Sequence, residues 1–358
     1  MVDLDALEAA GIANARARAG LIDYLDNLGF TAEEMVEAEQ RGRLFGLAGD
    51  AIRRSGRPTY SLRTAAESLG LPLHDVARYW AMLDLTVPSP DDITLTQADV
   101  DTLATCDAMR ARLGDDGGLL RLVGTAMTRL AEAETTLLRA SRPDFWITRS
   151  HDELTTAIAW REVAELLPRI GAMLDVVHRH QTTRPRIFES VTLNPSESVE
   201  CGVGFADLSG FTALTHVLSP AELSTLLNGF SEAVTDVVRG DDGRLVKFIG
   251  DAVMWVSSTQ ERLVQTAADL VEDPRTQAAG LQVRAGLSYG EVLAIGGDYF
   301  GDPVNLAARL VAAASPGQIL AASDVRDALP DWPAIPQEPL TLKGFDDPVT
   351  TYDLHARR

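Results

Sequence analysis

The apolar periodicity of this chain changes character near residue 185, and no single fold follows both patterns. Up to that point apolar residues recur at helical spacing in long stretches rich in Ala, Leu, Arg and Glu. Thr31-Ala-Glu-Glu34 carries the capping-box pattern that opens a helix. Breaks fall at Ser55-Gly-Arg-Pro58, Val87-Pro-Ser-Pro-Asp-Asp92 and Gly114-Asp-Asp-Gly-Gly118. A last helix is expected from about Asp152 to His180, with Leu154, Ile158, Leu166, Ile170 and Val177 on a broad apolar face. Pro185 and Pro195 then end the helical signal. Beyond them the pattern predicts a strand over Val199–Ala206, a helix, a hairpin around Gly250-Asp251, another helix, and a strand over Leu281–Tyr289. A helix over Val304–Ala314 and short strands near Leu340 and Tyr352 complete it. The expected fold class is therefore α+β: an all-helical domain over residues 1–185, a linker over 186–198, and a sandwich of helices on a mixed sheet over 199–358.

Each half is long enough to bury a core without staples. A net charge of -20 argues against non-specific binding to a nucleic-acid backbone, and both halves are acidic. Cys106 and Cys201 are too few for a disulfide framework, so a reduced, cytoplasmic setting is the expectation. The first residues lack the basic and apolar regions of a signal peptide, and no apolar run is long enough for a membrane span.

Lysine is nearly absent: Lys247 and Lys343 are the only two, against a background of arginine. A lysine kept in that background points to chemistry, because a compact ammonium does what a planar fork cannot. Lys247 stands four residues before Asp251, at the tip of the expected hairpin. A second carboxylate, Asp207, ends the strand Cys201–Ala206 where a helix begins, a place suited to a metal beside a phosphate. Asn305 and Arg309 are four apart on the late helix and share a face. Taken singly, each of these carboxylates reads more readily as a turn cap, and the Asn305/Arg309 pair as a solvated face. Their joint occurrence is what singles them out.

Phe205-Ala-Asp207-Leu-Ser-Gly-Phe-Thr212, Lys247-Phe-Ile-Gly-Asp251-Ala-Val-Met254 and the spacing Asp298, Asn305, Arg309 resemble the class III nucleotide cyclases in order and interval. The resemblance covers about residues 199–355. It implies a ferredoxin-like βαββαβ catalytic domain, a homodimer through that domain, and sites at the subunit interface holding two divalent cations each, Mg²⁺ or Mn²⁺. By resemblance, Asp207 and Asp251 are metal ligands, and Lys247 and Asp298 read the purine. Asn305 orients the ribose, Arg309 stabilises the reacting phosphorus centre, and Arg284 and Lys343 hold the triphosphate. A lysine donor with an aspartate acceptor matches adenine, so ATP is the expected substrate and cyclic AMP and pyrophosphate the products. Ser288 departs from the pattern, since many relatives carry histidine there.

In the first half, residues 60–103 resemble the winged helix-turn-helix of MerR-type regulators. Its second helix offers Arg78 beside His74 and Asp75, a poor footprint for DNA, so an interaction scaffold is expected rather than a nucleic-acid reader. The whole layout resembles the autoinhibited soluble adenylyl cyclases of mycobacteria. That resemblance implies a first half that restrains the catalytic pair and responds to pH or to a fatty-acid or lipid ligand. His178 and His180 are the candidate regulatory residues, because imidazole changes charge near neutral pH; the alternative is helix-end histidines favoured by the macrodipole.

Overall fold

The computed structural model describes residues 3–86, 89–114, 117–183, 198–277 and 281–354. The chain divides into two compact units, Met1–Thr183 and Arg184–Arg358. The expected linker falls outside the described residues except for Ser198, which opens the first strand.

The first unit is helical: α1 (Leu4–Ala9), α2 (Ala19–Asn27), α3 (Ala32–Gln40), α4 (Leu47–Arg53), α5 (Leu62–Leu69), α6 (Leu73–Met82), α7 (Gln97–Leu113), α8 (Gly118–Ser141), α9 (Ile147–Ser150), α10 (Glu153–Ala164) and α11 (Leu167–Thr183). Thr31 caps α3 through the reciprocal bonds with Glu34 that its sequence predicts. Gly49 of α4 exists for Trp160: a Cβ there would lie 2.1 Å from the indole, which stacks on Phe145 with centroids 4.2 Å apart. Arg18 ties α2's start to α3 and α10 by pairing with Glu39 and Glu153. Within residues 60–103 the chain forms α5, a turn at Gly70 (φ 66°), α6 and the start of α7.

One expectation fails here. The helix expected over 152–180 is two helices, interrupted at Glu165 and Leu166. Pro168, second in α11, cannot donate the backbone bond that would carry α10 onward. The broad apolar face fails with it: α10 buries Ala157, Ala159 and Val163, whereas α11 buries nothing.

The second unit opens with β1 (Ser198–Ser209), then α12 (Phe211–Leu214), α13 (Pro220–Gly240), β2 (Arg244–Ile249), β3 (Ala252–Ser257), α14 (Gln260–Glu272), β4 (Gln282–Ile295), β5 (Asp298–Phe300), α15 (Asp302–Ala313), β6 (Ile319–Ala322), α16 (Ser323–Ala328), β7 (Ile335–Pro336) and β8 (Thr351–Asp353). The strands run in the order β2-β3-β1-β4-β6-β8-β7, with β5 paired to β4. Strands β2-β3-β1-β4 with crossovers α13 and α14 are the ferredoxin-like βαββαβ core. One face of the sheet buries Trp255 with Phe230, Val234, Leu263 and Leu270. The glycines of Cys201-Gly-Val-Gly-Phe make this possible: a Cβ at Gly204 would meet Trp255 at 2.2 Å, and one at Gly202 would meet Leu263 at 2.9 Å. The other face packs Val203, Phe205 and Met254 against Ala307 and Val311 of α15. Leu340 forms an isolated bridge with Val349 rather than the expected strand, and β5 and β6 were not anticipated by periodicity. Three or four residues are too few for alternation to register.

Candidate active site

Strand register brings the first group together. Asp207, near the end of β1, lies directly across from Ala252 on β3 and from Arg284 on β4. Ile249 pairs with Ala252, so only Gly250 and Asp251 form the turn, and Gly250 takes the left-handed φ of 66° that such a hairpin needs. Asp251 is thereby delivered beside Asp207. Burial raises the pKa of Asp251, its backbone hydrogen bond opposes this, and the neighbouring charge of Asp207 raises it further. Arg284 donates Nε and Nη2 to the two carboxylate oxygens of Asp207 at 2.6 and 2.9 Å. That hydrogen bonding raises the basicity of the guanidinium.

Two clustered carboxylates that already draw in a cationic side chain fit a divalent metal ion with a preference for oxygen ligands. Among the described residues no group of three or more His, Cys, Asp or Glu side chains could hold a metal. The remaining ligands would therefore be substrate oxygens and water, the arrangement Mg²⁺ favours.

The second group sits on neighbouring hairpins. Ile295 pairs with Asp298 across Gly296-Gly297, with φ of 60° and 80°, so β5 begins at Asp298 itself. One carboxylate oxygen of Asp298 accepts from the Tyr299 N–H at 2.9 Å, and the other pairs with the Lys247 ammonium. Both side chains are part-exposed.

The third group depends on helix placement. A Cβ at Gly286 of β4 would meet the Val311 nitrogen at 2.2 Å and the Ala307 oxygen at 2.4 Å, so only glycine lets α15 settle this close. Pro303, Ala307, Leu310 and Val311 face inward, which leaves Asn305 and Arg309 exposed on one side of the helix. Arg309 Nε donates to the carbonyl oxygen of Lys343 at 3.3 Å, and Lys343 is itself exposed. Among the described residues, no hydrogen bond or ion pair links a candidate side chain of one group to a candidate side chain of another, although Arg284 reaches the carbonyl oxygen of Ala312 at the end of α15, 3.3 Å away. His178 and His180 lie exposed near the end of α11, and the residues that follow, 184–197, are outside the described set.

Two glycine features that set this geometry, and one carboxylate outside it, escape the sequence reading. Gly286 is one. The Gly296-Gly297 turn is another, although two glycines between apolar runs are a hairpin signal that could have placed Asp298. The third is Asp324, which accepts from the Tyr289 N–H at 3.1 Å and whose pKa burial raises; nothing in its sequence context marks it.

Comparison with known proteins decides the family. The adenylate and guanylate cyclase catalytic domain matches residues 193–356. A pH-sensitive adenylate cyclase of Mycobacterium tuberculosis is 31% identical over 88% of this chain and 85% of its own length. The chain belongs to the adenylate and guanylate cyclase family. An adenylate cyclase of Streptomyces coelicolor is 30% identical to this cyclase over 78% of the chain and 72% of its own length. An uncharacterised protein of Mycobacterium tuberculosis is 65% identical over 99% of the chain and 94% of its own length. All three groups of candidate residues in this cyclase lie inside the matched domain. No helix among the described residues is long and apolar enough to cross a membrane.

Proposed function

We propose that this cyclase is an adenylyl cyclase that converts ATP to 3′,5′-cyclic AMP and pyrophosphate at sites shared between two copies of the chain. The observation that carries the reading is the pairing of Lys247 with Asp298 on adjacent hairpins. An ammonium donates and a carboxylate accepts, which matches adenine N1 and its 6-amino group; guanine would require a donor where Asp298 stands. The names of the relatives from Mycobacterium tuberculosis and Streptomyces coelicolor point the same way.

In this reading the 3′-oxygen of the ribose attacks the α-phosphorus, its proton leaves, and the bond to the bridging oxygen breaks to release pyrophosphate. Asp207 and Asp251 would hold two divalent cations, Mg²⁺ or Mn²⁺, whose chemistry is to make the 3′-hydroxyl acidic and to neutralise the triphosphate. Asn305 orients the ribose by hydrogen bonding. Arg309 places positive charge where negative charge builds at phosphorus. Lys343, and Arg284 once released from Asp207, hold the triphosphate tail. By resemblance to the class III cyclases, one chain supplies the carboxylates and the other the base-reading and α15 residues, so each chain of a homodimer completes the other's site. The first unit is read as a restraint on the catalytic pair, with the helix-turn-helix as scaffold rather than DNA reader and a fatty acid or lipid as its ligand class. His178 and His180 are read as its pH-sensitive residues, in keeping with the pH-sensitive relative.

Incubating the purified chain with ATP or with GTP, each with Mg²⁺ or Mn²⁺, tests the reading. Cyclic AMP as the main product is the expected result. Equal or faster turnover of GTP would overturn the base assignment, and no cyclic product under any of the four conditions would overturn the reading as a whole.

A further inference from the structure

The side chain of Arg284 is committed on every side. Its fork takes both oxygens of Asp207, and Nη1 donates to the carbonyl oxygens of Ala314 and Ala312 at 3.0 and 3.3 Å. Those carbonyls belong to the C-terminal end of α15, where intrahelical donors run out and a cation is well placed. The pair is held in register by β1 and β4, and its side chains are only 27% and 19% exposed. A bidentate guanidinium–carboxylate pair in such surroundings is stronger than a surface ion pair. It fills the oxygens a divalent cation would need, and its positive charge repels one.

We propose that Arg284 is a resident counter-ion that closes the Asp207 site to free divalent cations until a triphosphate draws its guanidinium away. Phosphate oxygens match the same fork geometry as a carboxylate, so the exchange replaces one bidentate partner with another. Cation and nucleotide then bind synergistically: each strengthens the other by the same factor, since coupling is reciprocal. A chain built this way needs a higher divalent-ion concentration to load its site when nucleotide is scarce than when it is bound. The proposal rests on Asp207 as a metal ligand, and the test separates the two ideas.

The test is Mn²⁺ binding to the full-length chain without nucleotide, read from the electron paramagnetic resonance signal of free Mn²⁺. Arg284→Gln is expected to bind Mn²⁺ at least about tenfold more tightly than the wild type. Arg284→Lys keeps the charge but not the fork and is expected to fall between them; it decides the matter if the Gln variant does not fold. A non-hydrolysable ATP analogue with a methylene between the α- and β-phosphorus should sharply increase Mn²⁺ uptake by the wild type and do so far less in Arg284→Gln. Unchanged or weaker Mn²⁺ binding in the folded Arg284 variants overturns the counter-ion role. Tighter binding that survives the addition of Asp207→Asn overturns Asp207 as a metal ligand instead.

Discussion

Asp207 is close enough to Asp251 to raise its pKa, and removing either carboxylate is expected to affect chemistry far more than folding. Asp207→Asn and Asp251→Asn are each expected to lower cyclic AMP formation by more than about 100-fold, in line with the several kcal/mol a metal supplies. Initial rates at saturating ATP and Mn²⁺ measure this. Stability should move the other way for Asp251. Its folded pKa is raised, by burial first and also by Asp207, so its ionised form is penalised in the folded state. That stability is present below the unfolded carboxylate pKa and is lost as pH rises through the folded one. Asp251→Asn should therefore melt higher than the wild type at neutral pH, with the difference shrinking in acid; a variant less stable at neutral pH would contradict the assignment. The base readers give a third prediction. Lys247→Glu puts an acceptor where a donor stood and Asp298→Ser puts a donor where an acceptor stood, so the double variant should shift the ATP-to-GTP preference by about 10-fold or more, as one mismatched polar pair does; parallel assays with the two nucleotides measure it. Most of these residues were legible in the sequence because chain-local motifs carry them. The bond between Arg284 and Asp207 was not, because it is set by the register of β1 on β4 across 77 residues of chain.

At the scale of elements, two tight hairpins and one glycine contact place the functional side chains. Gly250-Asp251 was readable as a hairpin tip because apolar half-strands flank it. The seating of α15 was not readable, since a single glycine in a strand says nothing of which helix approaches it. Gly286→Val tests that seating. Its side chain would collide with the backbone at Val311 and Ala307 and push Asn305 and Arg309 outward. Loss of about 1–3 kcal/mol in stability is expected from the overpacking. The activity loss should be far larger, about 100-fold, because an ångström of displacement is enough for that. Thermal melts and rates on one preparation compare the two effects, and a stable variant with full activity would show that α15 positions nothing. The break between α10 and α11 also escaped the sequence reading, because apolar spacing continues across Glu165 and Leu166 while the Pro168 backbone does not.

At the scale of the whole molecule, the change of periodicity near residue 185 foretold a helical part followed by an α+β part, and the ferredoxin-like core followed from the resemblance. The division of the site between two chains, carboxylates from one and base readers and α15 residues from the other, rests on the resemblance alone and not on periodicity or spacing. The restraint assigned to the first unit predicts that residues 190–358 alone turn over ATP faster than the full chain. Lowering the pH from about 8 to about 6, the range in which imidazole charges, should activate the full chain and should do so less after His178→Asn with His180→Asn. Rates across that range for the three proteins check it. The shared site is the central claim, and mixing variants tests it most directly. Chains carrying Asp207→Ala and chains carrying Asn305→Ala, each inactive alone, are mixed under conditions that allow subunit exchange. Half of the resulting dimers are mixed, and each holds one intact site of two, so activity should rise to roughly a quarter of the wild-type value. A chain with both substitutions should rescue neither partner. Mixed dimers that form, as shown by differently tagged chains purifying together, and yet stay inactive would contradict a site built from two copies.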